Sequence, residues 1–139
     1  MNPADLVQCF YEELWNRDDK AQIPKLLHES FTFRGSLGQT KHGHNGFIEY
    51  VDFVRDALDE YRCEIQEIVC ERNKAFAKVL FSGVHQKPFL SYSPTFKRIH
   101  WLGAALFTLA EDKIVALWVL GDLDALREQL SRTEESSAP

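Results

Sequence analysis

The chain is poor in the signals that mark several large classes of protein. No apolar run approaches the roughly 20 residues of a membrane-spanning helix. Met1-Asn-Pro-Ala-Asp5 lacks the basic start of a secretory leader, so no membrane partner and no export are expected. Only three cysteines occur, Cys9, Cys63 and Cys70, an odd number without CxxC spacing. Cys63 and Cys70 fall on opposite faces of one expected strand and could not pair with each other, so the expectation is free thiols in a reducing cytoplasm. Basic residues are scattered through a chain of net charge −5. Without a basic face, no nucleic-acid partner is expected. A phosphate-cradling loop is missing, and no serine or cysteine has the neighbours of an activated nucleophile.

What is there suits one globular domain. The 139 residues, 45% hydrophobic and 27% charged, are enough to bury a real core. Asn2-Pro3 reads as a cap and first helical position, and Leu6, Phe10 and Leu14 recur at helical spacing in a helix ending near Asn16. Ala21 to Glu29 suggests a short second helix with Pro24 in its first turn. Phe31-Thr-Phe-Arg34 alternates as a strand, closed by Gly35 to Gly38. His42 to Gly46 links into a third helix, capped by Asn45 and running to about Glu60. The period then becomes alternating: Tyr61–Glu71, Ala75–His85, Lys97–Leu109 and Lys113–Asp122 read as a four-stranded antiparallel meander. A loop from 86 to 96 interrupts it. Leu123–Leu130 closes as a helix, and 131–139 is a polar tail. Helices first and strands after imply a single α+β domain over 1–130, with the N-terminal helices packed on one face of a curved sheet whose mouth is a natural ligand site.

Lys113 to Leu130 stands out. Strict alternation would put Ile114, Ala116, Trp118, Leu120 and Asp122 on one face. A carboxylate at the end of an apolar row has two readings. In a greasy pocket it would be an acid/base whose pKa is raised by burial; otherwise it caps the helix that begins at Leu123.

Several segments resemble the SnoaL-like polyketide cyclase and ester cyclase family of the NTF2-like (cystatin-like) cone superfamily, over nearly all of Leu6 to Leu130. Phe10-Tyr-Glu-Glu-Leu-Trp15-Asn-Arg-Asp18 is similar to the family's opening segment. Gly43-His-Asn-Gly46-Phe47 is similar to its glycine-rich helix entry, Gly83-Val-His85 to its G-x-H strand end, and Ser93-Pro94-Thr95 to its proline loop. Lys113-Ile114, Trp118-x-x-x-Asp122 and Gln129-Leu130 match its ending. Departures are Asp112 and Phe96 where the family has glycine, Ser131 for a terminal glycine, and Arg34 where a pocket histidine is common. The resemblance implies a cofactor-free, metal-free protein that binds a small hydrophobic carbonyl compound. The implied chemistry is aldol-type ring closure or isomerisation, with Asp122 as acid/base. The alternative is a non-catalytic binding or dimerisation module, since one fold hosts many functions.

The candidates therefore number ten. Asp122, His85 and His100 are the catalytic set. His85, at the end of a strand face, would orient a carbonyl or exchange protons with Asp122, or else be a rim histidine. His100, opposite in face to Trp101, would be an oxyanion partner or a solvated or interface histidine. Arg34, Trp15, Phe33, Tyr50, Phe53, Phe81 and Trp118 are the ligand-contacting set. Arg34 would be either an anion anchor or a solvated strand end. Aromatic stripes of this kind also serve as plain core. His42-Gly-His44 lacks the third and fourth ligands a zinc site needs, so no metal is expected. The long apolar third and fourth strands of the meander suggest a face that pairs with a second copy, hence a homodimer.

Overall fold

The computed structural model describes residues 1–132, so residues 133–139 of the expected tail lie outside the described residues. Helix α1 (Pro3–Cys9) runs on into a π-helical segment, Phe10–Asn16. A single 3₁₀ turn leads into α2 (Ile23–Leu26). Then come β1 (Leu27–Arg34), β2 (Thr40–His42), α3 (Gly43–Ala57), β3 (Leu58–Glu71), β4 (Lys74–His85), β5 (Arg98–Ala110), β6 (Lys113–Gly121) and α4 (Leu123–Leu130).

The strands form one six-stranded sheet in the order β2-β1-β6-β5-β4-β3. All neighbours are antiparallel except β1 and β6, which run parallel. The meander is as expected, and β1 joins it at the β6 edge. The fold is α+β, with helices on the concave face of a mostly antiparallel sheet. Three boundaries differ from expectation. Leu27–Glu29 belong to β1 rather than to the second helix, because Leu27 pairs with Ile114. Helix α3 ends at Ala57, because Leu58 is already paired with His85. Asn45 lies inside α3 and does not cap it; the cap position is His42, without a side-chain bond.

The concave face is an aromatic layer. Leu6, Val7, Phe10, Tyr11, Leu14 and Trp15 from the first helix are all at most 3% exposed. They meet Phe47, Tyr50 and Val54 of α3, and the inward row Ile99, Trp101, Ala105 and Phe107 of β5. Each such large side chain, fully buried, contributes roughly 1.5–3 kcal/mol. Phe10 packs edge-on against Phe107 at 5.6 Å and Trp15 against Phe47 at 5.8 Å, a geometry that adds about 0.5–1.5 kcal/mol per pair. Close packing needs glycine at two points. A Cβ on Gly103 would sit 2.4 Å from the Phe81 ring, and one on Gly35 would sit 2.4 Å from the Tyr50 ring.

Two amide side chains complete the sheet where strand partners run out. Beyond Gly103, β5 has lost β6, which ends opposite it at Gly121. There Gln129 of α4 accepts from the His100 N–H at 2.9 Å and donates to the His100 carbonyl at 2.7 Å. On the edge strand β3, Asn16 does the same for Cys63, accepting at 2.7 Å and donating at 2.9 Å. Unpaired backbone groups left near the core would be costly. Asp112 and Phe96, which replace the resemblance's glycines, take left-handed backbone angles of 61° and 58°, a conformation disfavoured for residues with a Cβ.

Candidate functional site

One residue of register decides which side chains enter the cone. Thr108 of β5 pairs with Ala116, but the next residue, Leu109, pairs with Ile114. The extra residue on β6 is a bulge, and a bulge reverses the facing of everything after it. Ile114 points inward and is fully buried; Leu117 and Val119 then take the inward face, while Trp118 and Leu120 are 47% and 51% exposed. The expected common face from Ile114 to Asp122 is thus corrected.

Asp122 is exposed. Its side chain accepts from the Ala125 N–H at 3.2 Å, capping α4, and its own N–H donates to the Leu102 carbonyl at 2.8 Å. Of the two readings, the geometry matches the helix cap; the pocket-facing placement is corrected. His100 is likewise exposed on the outer side of β5. Arg34 turns away from the cone: its guanidinium lies 5.7 Å from the centre of the exposed Trp118 ring and donates to the Val119 carbonyl. Phe53 is 42% exposed and stacks on Phe89 at 6.0 Å. Arg34, Phe53 and Trp118 therefore stand outside the cavity.

Trp15, Phe33, Tyr50 and Phe81 stand in its wall. With Phe10, Leu117 and Val119 they line a cavity with room for roughly one water, so the cone is nearly filled by its own side chains. Its polar groups are Ser36 and the phenols of Tyr11, Tyr50 and Tyr61; no charged side chain lines it. Burial pushes the Tyr50 hydroxyl up to about 12, although Ser36 and the Leu37 backbone bond to it. Burial also holds Tyr11 and Tyr61 well above the ordinary phenol value, and the Cys63 thiol, bonded to Tyr61, is raised in the same way. All four are neutral. Ser36 also accepts from the Trp101 indole N–H at 3.3 Å. Sequence reasoning weighed Tyr61, like Tyr50, as a hydrogen-bond donor to a ligand, and passed over Tyr11 and Ser36 as site groups. Tyr11 read only as a flank of the helical stripe, and Ser36 as part of a turn.

His85 is completely buried at the inner end of β4. The Thr95 N–H donates to its Nδ1 at 3.0 Å, so the ring proton sits on Nε2. Burial lowers its pKa, and the Lys87 and Tyr92 backbone offsets this in part; Nε2 itself makes no bond of normal geometry. The ring contacts Phe89 of the 86–97 loop at 6.3 Å. His85 thus fastens that loop to the end of β4. Among the described residues, no group of three His, Cys, Asp or Glu could hold a metal ion. His44 bonds the Leu27 carbonyl at 3.0 Å, tying α3 to β1. No helix of the described residues is long and apolar enough to cross a membrane.

The family model for SnoaL-like polyketide cyclases matches residues 5–130. The chain belongs to the SnoaL-like polyketide cyclase family. Its fold is shared with a protein of Jannaschia sp. CCS1 described as a SnoaL-like polyketide cyclase, at a TM-score of 0.82 and 17% identity, covering 100% of this chain and 98% of that one. TsrD of Streptomyces laurentii matches with a TM-score of 0.82 and 20% identity, over 94% of this chain and 98% of its own. IdmH of Streptomyces antibioticus, described as a polyketide cyclase, matches with a TM-score of 0.82 and 18% identity, over 95% and 100%. No curated protein matches. At these identities the likeness is one of fold.

The cap at Asp122 makes a direct prediction. Asp122→Ala should lower unfolding stability by about 1 kcal/mol, while Asp122→Asn, an equally good cap, should leave it nearly unchanged. Urea denaturation measures both. Equal losses in the two variants would mean that the carboxylate's charge, and not its capping bond, is what matters.

Proposed function

We propose that this SnoaL-like protein binds a small, neutral, hydrophobic carbonyl compound inside the cone. The observation that carries this reading is the wall of the cavity: aromatic and aliphatic surface with a few neutral phenols and no ion. Such a lining disfavours a charged guest, which would lose its hydration without a partner, and suits an apolar one with a single polar end. Because the free cone holds about one water, binding must widen it. Small neutral aromatic ketones should shift the Trp15 indole signals in NMR spectra saturably. Val119→Phe, which fills the gap, should abolish those shifts in a protein that is still folded by circular dichroism. Shifts that persist in Val119→Phe would place the ligand elsewhere.

Acid/base ring closure at Asp122 is a further reading, supported by membership of the family. It requires the carboxylate to leave its cap and turn inward on binding. Asp122→Asn keeps the cap and removes the base, so with a confirmed substrate its turnover should fall to background. Unchanged turnover would leave Asp122 as a cap alone, with the cone a binding site.

The outer face of the sheet supports a homodimer. Phe76, Leu106 and Trp118 are aligned across β4, β5 and β6 by register, with Leu102 and Leu120 beside them, and all five are between 37% and 51% exposed. A contiguous apolar face on a folded domain marks an association surface, and a two-fold pair covers it with its own copy. Sedimentation should show a dimer that Trp118→Lys dissociates; a wild-type monomer at all concentrations would overturn this.

A further inference from the structure

Tyr11 is 2% exposed, yet its hydroxyl has no hydrogen-bond partner. The other polar groups of the cavity are engaged: Ser36 with Trp101 and Tyr50, and Tyr61 with Cys63. A buried hydroxyl without a partner is rare and destabilises the protein that carries it. The side chain that bears it projects from the π-helical segment, a local form often found at functional sites. Tyr11 also borders a second groove, lined by Gln8, Glu12, Asn16, Arg62 and Glu64, so this one residue takes part in the walls of both.

Resting on the ligand-binding reading above, we infer that the Tyr11 hydroxyl is the group that recognises the ligand, donating to the carbonyl oxygen of a ketone or aldehyde carried on a compact apolar ring. The phenol is neutral at all ordinary pH, so it offers a proton and no charge. A ketone brings an acceptor and no donor of its own. A guest alcohol would bring a second proton, and the remaining polar groups of the wall already have partners. The bond is absent from the empty protein, so the whole of the hydroxyl's desolvation has already been borne when the guest arrives. This is preorganisation for an acceptor, and it makes the carbonyl the discriminating feature of the ligand.

Acetophenone and α-methylstyrene test the inference, since they share a shape and differ in whether oxygen or CH2 ends the double bond. Binding of each to wild-type protein and to Tyr11→Phe is followed by NMR titration. Wild type should prefer acetophenone by about tenfold. Tyr11→Phe should erase the preference by weakening acetophenone alone, with α-methylstyrene binding unchanged. Removal of an unpartnered hydroxyl should leave the melting temperature of the free variant equal or higher. Equal binding of both probes to wild type, a preference that survives in Tyr11→Phe, or a lower melting temperature in that variant would each overturn the role of Tyr11 while leaving the cone as a ligand site. Binding of neither probe to wild type would overturn the ligand reading and this inference together.

Discussion

Between Ile114 and Ala116, β6 carries one residue more than β5 does opposite it, and the cone takes its character from that bulge. Side chains on a strand alternate, so one inserted residue exchanges the two faces for the rest of its length. Leu117 and Val119 go in; Trp118 and Leu120 go out. The cavity thereby acquires aliphatic packing in place of a tryptophan, and the outer face acquires a large aromatic surface for Arg34 to cover. Asp122 emerges from β6 on the solvent side, where it serves the first turn of α4.

Two kinds of closure hold the cone against that sheet. The first is apolar: the α1 stripe and α3 bury an aromatic layer that interlocks edge to face around Phe10, Phe47 and Phe107. The second is polar and local. Asn16 and Gln129 each present an amide to a stretch of strand that lacks a neighbour on one side, supplying one donor and one acceptor as a strand would. Gln129 thereby docks α4 at one end of the cone, and Asn16 docks the π segment along β3. The loop carrying Phe89 is held to the end of β4 by the His85–Thr95 bond. The interior that results is neutral and nearly full, and its one unengaged polar atom among the described residues of the wall is on Tyr11.

Much of this was legible residue by residue. Leu6, Phe10 and Leu14 announced the first helix through their spacing, and the switch to alternation after Tyr61 announced the meander. Trp15, Phe33, Tyr50 and Phe81 were readable as inward-facing because each sits on the apolar phase of its own element. The parallel pairing of β1 with β6 was not readable, since it joins Leu27 to Ile114, far apart in the chain. Tyr11 and Ser36 were passed over for a related reason. A phenol on an apolar stripe looks like core, and only its neighbours reveal whether its hydroxyl has a partner.

The amino-acid sequence alone therefore determined the α+β class, the order of the elements and membership of the SnoaL-like family, because periodicity and local motifs are properties of short stretches. Only the tertiary structure decided which face of β6 looks inward and where Asp122, Arg34 and Trp118 lie. It also decided that the cone is nearly filled and lined by neutral phenols. Those outcomes depend on a single-residue offset between two strands, and an offset between strands exists only once they are paired.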